Sequence, residues 1–248
     1  MLKASVDRYG QLLAYISDVS YETVARFAPI VFDDDFVGNG HTAVPTTATA
    51  GYPWIKKLVK TGGSPSVGAV ANLGGGVMSA LIDTTSEKQE ATLYFGDQLN
   101  FDVSKGAIFE ARVNFHTIPS AAQVEVVFGL QSAWQDGPDN AGFYLEFQAL
   151  GNGIINCRSK DGVNTTSDAS TVTMVADVWH VFQIDASDPT NLRFFIDGVM
   201  VTLGATRAFA ATGANAILQP YMSVYKASGT GSGEVRADYL SAYQVSRT

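Results

Sequence analysis

The sequence predicts an all-β fold, a sandwich or barrel of short strands, with a short N-terminal extension. Three observations carry this. Apolar and polar residues alternate with period two in one segment after another, the mark of strands with one buried face. Clusters of Gly, Asn, Asp and Pro separate those segments at short intervals, as in sandwiches or barrels rather than α/β folds. No repeat of 20–50 residues is visible, which sets aside propellers and solenoids.

Residues 1–31 stand apart as an N-terminal arm. They carry Leu12, Leu13, Tyr15, Ile16, Tyr21 and Phe27 among scattered charges, too apolar for a free tail. Periodicity fits either a short helix or a strand over residues 18–27, and the arm packs either on its own sandwich or on another subunit. The sandwich is expected over 32–248. Phe32-Asp33-Asp34-Asp35-Phe36 opens it, and residues 42–51 are a Thr/Ala-rich loop or irregular strand. Residues 41–76 as a whole are weakly patterned. Gly74-Gly75-Gly76 precedes an apolar run at 77–82, and a further strand fits 91–95.

Alternation is clean at 109–115, where Phe109, Ala111, Val113 and Phe115 oppose Glu110, Arg112 and Asn114. Val124, Val126, Phe128 and Leu130 oppose Glu125 and Gln131, and Phe143, Leu145 and Phe147 oppose Tyr144, Glu146 and Gln148. Strands also fit 153–158, 179–186, 192–196, 199–203, 217–225 and 234–245. Asp197-Gly198 between two of them is the strongest short hairpin signal in the chain.

Of the 248 residues, 46% are hydrophobic and 16% charged, enough to bury a large core and too apolar for general disorder. The net charge of −8 and the lack of any Lys/Arg-rich run give no nucleic-acid footprint. No apolar run approaches the ~18 residues of a membrane span. The N-terminus lacks the apolar core of a signal peptide, so folding in a reducing cytoplasm is expected. Cys157, the only cysteine, can form no intrachain disulfide and reads as a small buried residue.

Four segments resemble one family. Trp179, His180, Phe182, Ile184, Ile196, Asp197 and Gly198 fit a "W-H-x-φ-x-φ" strand followed by a strand ending "φ-D-G", where φ is apolar. Residues 105–113 are similar to a "G-x-φ-E-A-R-φ" strand, Phe32–Phe36 to an "F-x-D-D-F" opening strand, and residues 236–244 to a closing "φ-D-Y-φ-x-φ-Y-x" strand. In this order they resemble the laminin-G and concanavalin A-like lectin–glucanase sandwiches, and the resemblance spans about residues 32–248. It implies a two-sheet antiparallel jelly-roll sandwich of the concanavalin A-like kind, with His180 in a structural role.

Enzymes of that superfamily carry E-x-D-x-x-E on an inner strand. A retaining glycosidase needs two carboxyl groups about 5–5.5 Å apart, and residues two apart on a strand share a face. The corresponding strand here places Val127 after Glu125 where the Asp belongs, and Phe128, Gly129 and Leu130 around the final Glu position. The expectation is therefore a chain that is not an enzyme and has no catalytic residues. Glu125, Glu146 and Glu110 are expected to share one solvated face. Sugar recognition on a concave sheet would draw on Trp134, Tyr144, Glu146, Gln148, Arg112 and Asn114, set against the plainer reading of an exposed sheet face with ordinary cross-strand pairs. Trp54 and Trp179 read as core or core-edge residues.

No cofactor or metal is expected. Calcium is the one cation whose hard oxygen ligands are present, at Asp33, Asp34, Asp35 and the Asp136–Asn140 loop. Neither run has EF-hand spacing, and turn chemistry accounts for the loop. His41, His116 and His180 show no paired zinc spacing, Gly74–Gly76 is followed by no Gly-Lys-Ser/Thr, and the sequon Asn164-Thr165-Thr166 has no secretion signal beside it.

The resemblance also implies a role. Sandwiches of this kind without the catalytic acids, with an N-terminal extension and no export signal, occur as virion proteins of tailed phages. The functional expectation is a capsid decoration protein that binds the major capsid protein or another virion protein through Leu12, Leu13, Tyr15, Ile16, Tyr21 and Phe27. Self-association as a trimer is favoured. A lectin-like glycan-attachment module is the alternative, and a β-glucanase-like hydrolase ranks last.

Overall fold

The computed structural model describes residues 4–9, 12–17, 23–38, 41, 43–151 and 153–247, and for 4–27 the course of the backbone. Three strands come first: β1 (Ala4–Tyr9), β2 (Leu12–Ser17) and β3 (Thr23–Phe27). They form an antiparallel sheet of their own in the order β1-β2-β3. The question of helix or strand over 18–27 is thus answered by a strand at Thr23–Phe27. Tyr21 lies outside the described residues, as do the side chains of Leu12, Leu13, Tyr15, Ile16 and Phe27.

Sixteen strands follow. They are β4 (Ile30–Asp34), β5 (Ile55–Lys60), β6 (Ser66–Ala69), β7 (Met78–Ile82), β8 (Gln89–Tyr94), β9 (Phe101–Asp102), β10 (Ala107–Thr117) and β11 (Val124–Gln131). Next come β12 (Tyr144–Leu150), β13 (Ile154–Lys160), β14 (Thr165–Thr173), β15 (Trp179–Ala186), β16 (Arg193–Ile196), β17 (Val199–Met200), β18 (Ile217–Lys226) and β19 (Gly233–Gln244). The first sheet of the sandwich runs β17-β16-β15-β10-β19-β7-β6, with β4 also on β19; the second runs β14-β13-β12-β11-β18-β8-β5, with β9 also on β18. Every pairing is antiparallel, as a two-sheet jelly-roll requires.

The alternating residues meet between the sheets. Phe109, Ala111, Val113 and Phe115 of β10 and Val124, Val126, Phe128 and Leu130 of β11 are all buried in one core. Phe128 of the second sheet packs edge-on to Phe182 of the first at 4.8 Å, and Phe147 meets Phe194 at 5.4 Å. A second aromatic knot joins Phe32, Trp54 and Phe95, with Trp54 Nε1 donating to Asp34 Oδ2 at 2.7 Å. Cys157 is buried among these apolar groups, which push its thiol up to about 12.

The Asp197-Gly198 hairpin forms as anticipated: both residues have positive φ, 50° and 73°, the geometry of a type I′ turn. Asp197 also accepts from Val181 N at 2.9 Å and lies 2.6 Å from His180 Nδ1, so His180 is tied to the turn. Beyond Met200 the predicted strand at 199–203 does not continue.

Candidate functional site

The pleat that buries one face of β11 turns Glu125, Val127, Gly129 and Gln131 outward. Register then builds a plate of side chains on the outer face of the second sheet. On one side Gln148, Glu146 and Tyr144 stand opposite Val127, Gly129 and Gln131, and beyond them Asn156, Arg158 and Lys160 stand opposite Gln148, Glu146 and Tyr144. On the other side Tyr225, Ser223, Tyr221 and Gln219 of β18 face β11, followed by Glu90, Thr92 and Tyr94 of β8.

Residues 132–142 lie across this plate. Trp134 Nε1 donates to Glu90 Oε1 at 2.6 Å, Gly137 N to Glu90 Oε2 at 3.3 Å, and Gln131 Nε2 to the Pro138 carbonyl at 3.1 Å. Asp139 pairs with Arg158 and Asp136 with Lys88. Lys57 Nζ sits 4.4 Å from the Trp134 ring centroid.

Beneath the loop, Arg158 is the hub. Its Nη2 donates to Tyr144 OH at 2.7 Å, its Nε is 3.5 Å from Glu146 Oε1, and its Nη1 is 3.9 Å from Glu125 Oε1. Neither carboxyl contact is a hydrogen bond: Glu125 Oε1 and Glu146 Oε1 are buried with no hydrogen-bond partner. Only 7% of Glu125, 2% of Glu146 and 6% of Arg158 is exposed. Burial disfavours the charged acids, so Glu125 is pushed up to about 7 and Glu146 to about 8, against the pull of Arg158. Burial also raises Glu90. For Arg158, burial works against the charge, but Glu146 and Asp139 outweigh it and hold the guanidinium cationic.

Chemically, Glu146 is a carboxylic acid that keeps its proton at neutral pH and can donate it. Glu125 changes protonation across neutrality, the range in which an acid or base is most useful. The two groups flank one cation and titrate as a coupled pair.

Several sequence-based expectations change here. Trp134, Tyr144, Glu146 and Gln148 do gather on one face, but that face is not exposed: the last three are buried and Trp134 is half-buried. Arg112 and Asn114 are not part of it, because β10 belongs to the first sheet. Glu110 leaves the Glu125–Glu146 face for the same reason and accepts from Tyr239 OH at 2.8 Å. Arg158, Glu90 and Tyr221 were missed. The alternation Asn156-Cys157-Arg158-Ser159-Lys160 could have signalled Arg158; Glu90 fell just before the expected start of its strand.

The acids considered for calcium are engaged with protein groups. Asp34 accepts from Trp54 and from Phe36 N, Asp33 from Ser241, and Asp136 and Asp139 pair with Lys88 and Arg158. Among the described residues no group of three or more His, Cys, Asp or Glu side chains is placed to hold a metal ion.

No family model matches the sequence, and no curated protein matches it. Solved structures do. An endo-1,3-β-glucanase from Streptomyces sioyaensis superposes with a TM-score of 0.54 at 16% identity, over 86% of this chain and 95% of that one. An endo-β-1,4-glucuronan lyase from Trichoderma reesei gives 0.57 at 14%, over 86% and 97%. A protein of unknown function from Shewanella oneidensis MR-1 gives 0.56 at 14%, over 88% of each. The fold is that of the concanavalin A-like sandwiches.

At this identity the likeness concerns the fold alone. It nonetheless corrects the reading of the chain as a non-enzyme, because the shape is matched along nearly the full length of a glucanase and a lyase. The missing E-x-D-x-x-E had carried that reading. The geometry removes its force, since acids on β11 and β12 converge on one guanidinium without lying on one strand.

Proposed function

We propose that the chain is a carbohydrate-active protein that seats a polysaccharide on the outer face of its second sheet. The half-buried Trp134 makes the first aromatic contact; Gln148, Tyr144, Glu125 and Glu146, buried under residues 132–142, meet the glycan when that loop moves off them, and the two acids then exchange protons with it. The observation that supports this most is the pair of buried carboxyl oxygens, Glu125 Oε1 and Glu146 Oε1, that no protein donor satisfies. Buried polar atoms are almost always paired, so two such atoms beside one cation favour a polar partner from outside the chain. The polysaccharide class is read by analogy of fold, from a β-glucanase and a glucuronan lyase.

The test is affinity electrophoresis in gels containing β-1,3-glucan, mixed-linkage β-glucan or glucuronan. At least one should retard the wild type, and Gln148→Ala and Glu125→Gln should restore free migration. Identical migration in all gels would sink the proposal. Assay of the same mixtures for new chain ends then separates cleavage from binding, with Glu125→Gln expected to abolish turnover.

A second reading concerns where the chain works. The described pairings of β1–β3 are only with one another, which suits a separate attachment element. We propose that the first 31 residues attach the chain, as a trimer, to the major capsid protein or another virion protein of a tailed phage. The measurement is co-sedimentation with capsids, present for the whole chain and lost on removal of residues 1–27, which leaves β4 and its pairing with β19 whole.

A further inference from the structure

The first sheet also has an outer face, and it carries a recess that the polysaccharide proposal does not use. Its volume is 230 Å³ and its walls include Trp179, Asn114, Arg112, Arg236 and Asp238. Register explains the assembly. Asn114 stands opposite Trp179 on β15 and opposite Arg236 on β19, so the three form one row across three strands. A bulge adds the next part: Arg112 pairs with Tyr239 and Val113 with Ala237, which leaves Asp238 as the extra residue. Bulges re-aim side chains, and Asp238 Oδ2 accepts from Arg112 Nη1 at 2.7 Å. The Arg112 guanidinium lies 5.0 Å from the Trp179 ring centroid. Leu73 and Gly74, in the loop before β7, close the side.

Asn114 is the anomaly. It is 4% exposed, and its Oδ1 is buried with no hydrogen-bond partner although the side chain lines the recess. A buried acceptor left unmade is costly and calls for a donor from a ligand. The charges around it are already balanced. Arg112 pairs with Asp238, Arg236 with Glu234 at 2.7 Å, and Asp177 lies 2.6 Å from His116. Such a site offers little to an ion and much to a neutral polyol, with an indole, planar amide and carboxylate acceptors, and guanidinium donors within one small space. Its volume falls below the roughly 300 Å³ of drug-sized pockets, which limits the occupant to about one ring.

We propose that this recess is a second carbohydrate site, binding a single neutral hexose unit with a ring hydroxyl donating to Asn114 Oδ1 and the ring against Trp179. It is independent of the polysaccharide face on the other sheet.

The experiment is saturation-transfer NMR on the full chain with D-glucose, D-galactose, D-mannose and N-acetyl-D-glucosamine. At least one sugar should show transfer. Asn114→Leu removes the acceptor at similar volume and should weaken binding at least about tenfold. Gly74→Phe provides a second variant: a Cβ there meets no atom within 4 Å, so the wall of the recess has room for a larger residue that crowds its mouth without disturbing the fold. It should abolish transfer. Both variants should still be retarded in polysaccharide gels, and Glu125→Gln should keep the hexose signal. No transfer from any sugar, or transfer undiminished in both variants, overturns the proposal.

Discussion

Glu146 shows what burial does to a single residue. Nothing in its own side chain distinguishes it from Glu87 at the surface, yet the plate around it holds its proton on to about 8. The same burial sets a stability profile. Glu125 and Glu146 bind protons more tightly in the folded chain than in the unfolded one, where 4.5 is the ordinary value. Their contribution is therefore complete below about pH 4.5 and is lost as the pH rises through 7 to 8. Because the two are coupled, their joint effect is on the order of 3 kcal/mol rather than a sum of separate shifts. Wild type should melt roughly 6–12 °C lower at pH 9 than at pH 6 from this source. Glu146→Gln imitates the protonated acid, and its melting temperature should fall distinctly less over the same interval. Calorimetry at the two pH values checks this; parallel curves for the two proteins would show that Glu146 does not carry the effect.

At the scale of elements, Gly129 explains why β11 carries no outward acid opposite β12. A Cβ at 129 would lie 2.2 Å from the Leu145 carbonyl oxygen and 2.7 Å from Glu146 Cα, so β12 presses on β11 too closely for any side chain. The acid arrives instead from β12, as Glu146 opposite Gly129. Gly129→Glu, which would set an outward acid on β11 opposite Glu146, should therefore destabilise the chain by about 3 kcal/mol or more, visible as a lower midpoint in denaturant. A Gly129→Glu protein as stable as wild type would mean that the two strands part readily. The same scale shows which strands the sequence revealed. β10, β11, β12, β15, β18 and β19 were legible because one face of each is apolar and the other is not. β14, Thr165–Thr173, was missed: it is an edge strand of Thr, Ser and Asp with mostly exposed positions, so it has no hydrophobic face to read. The plate was half legible. Its β12 members were found by alternation, but Arg158 and the covering loop became visible only through cross-strand register, which no single strand encodes. Arg112 was misplaced for the same reason, since alternation states that a residue points outward but not from which sheet.

For the whole molecule, the matter is where the sandwich begins. β4 is its first strand in the chain, and it pairs Ile30–Asp34 with Gln244–Leu240 of β19. Arg247 adds two hydrogen bonds to the Pro29 carbonyl, at 3.0 and 2.6 Å. Phe32 packs on Trp54 and Phe95, and Asp34 holds the Trp54 indole. The first and last segments of the sandwich are thus stitched together. β1–β3, by contrast, have described pairings only among themselves. Two truncations separate these contributions. Removal of residues 1–27 keeps every β4 contact, so the melting temperature should stay within about 2 °C of wild type, a change below about 1 kcal/mol. Removal of residues 1–34 deletes a strand, two aromatic contacts and the acceptor for Trp54, and should cost at least about 3 kcal/mol, or roughly 6–12 °C. Sedimentation on the shorter deletion also tests the proposed trimer: a whole chain that self-associates and a folded deletion that does not would place self-association in the β1–β3 sheet. A fall of 6 °C or more on removing residues 1–27 would instead make that sheet part of what holds the sandwich together, and the attachment role would have to lie elsewhere on the surface.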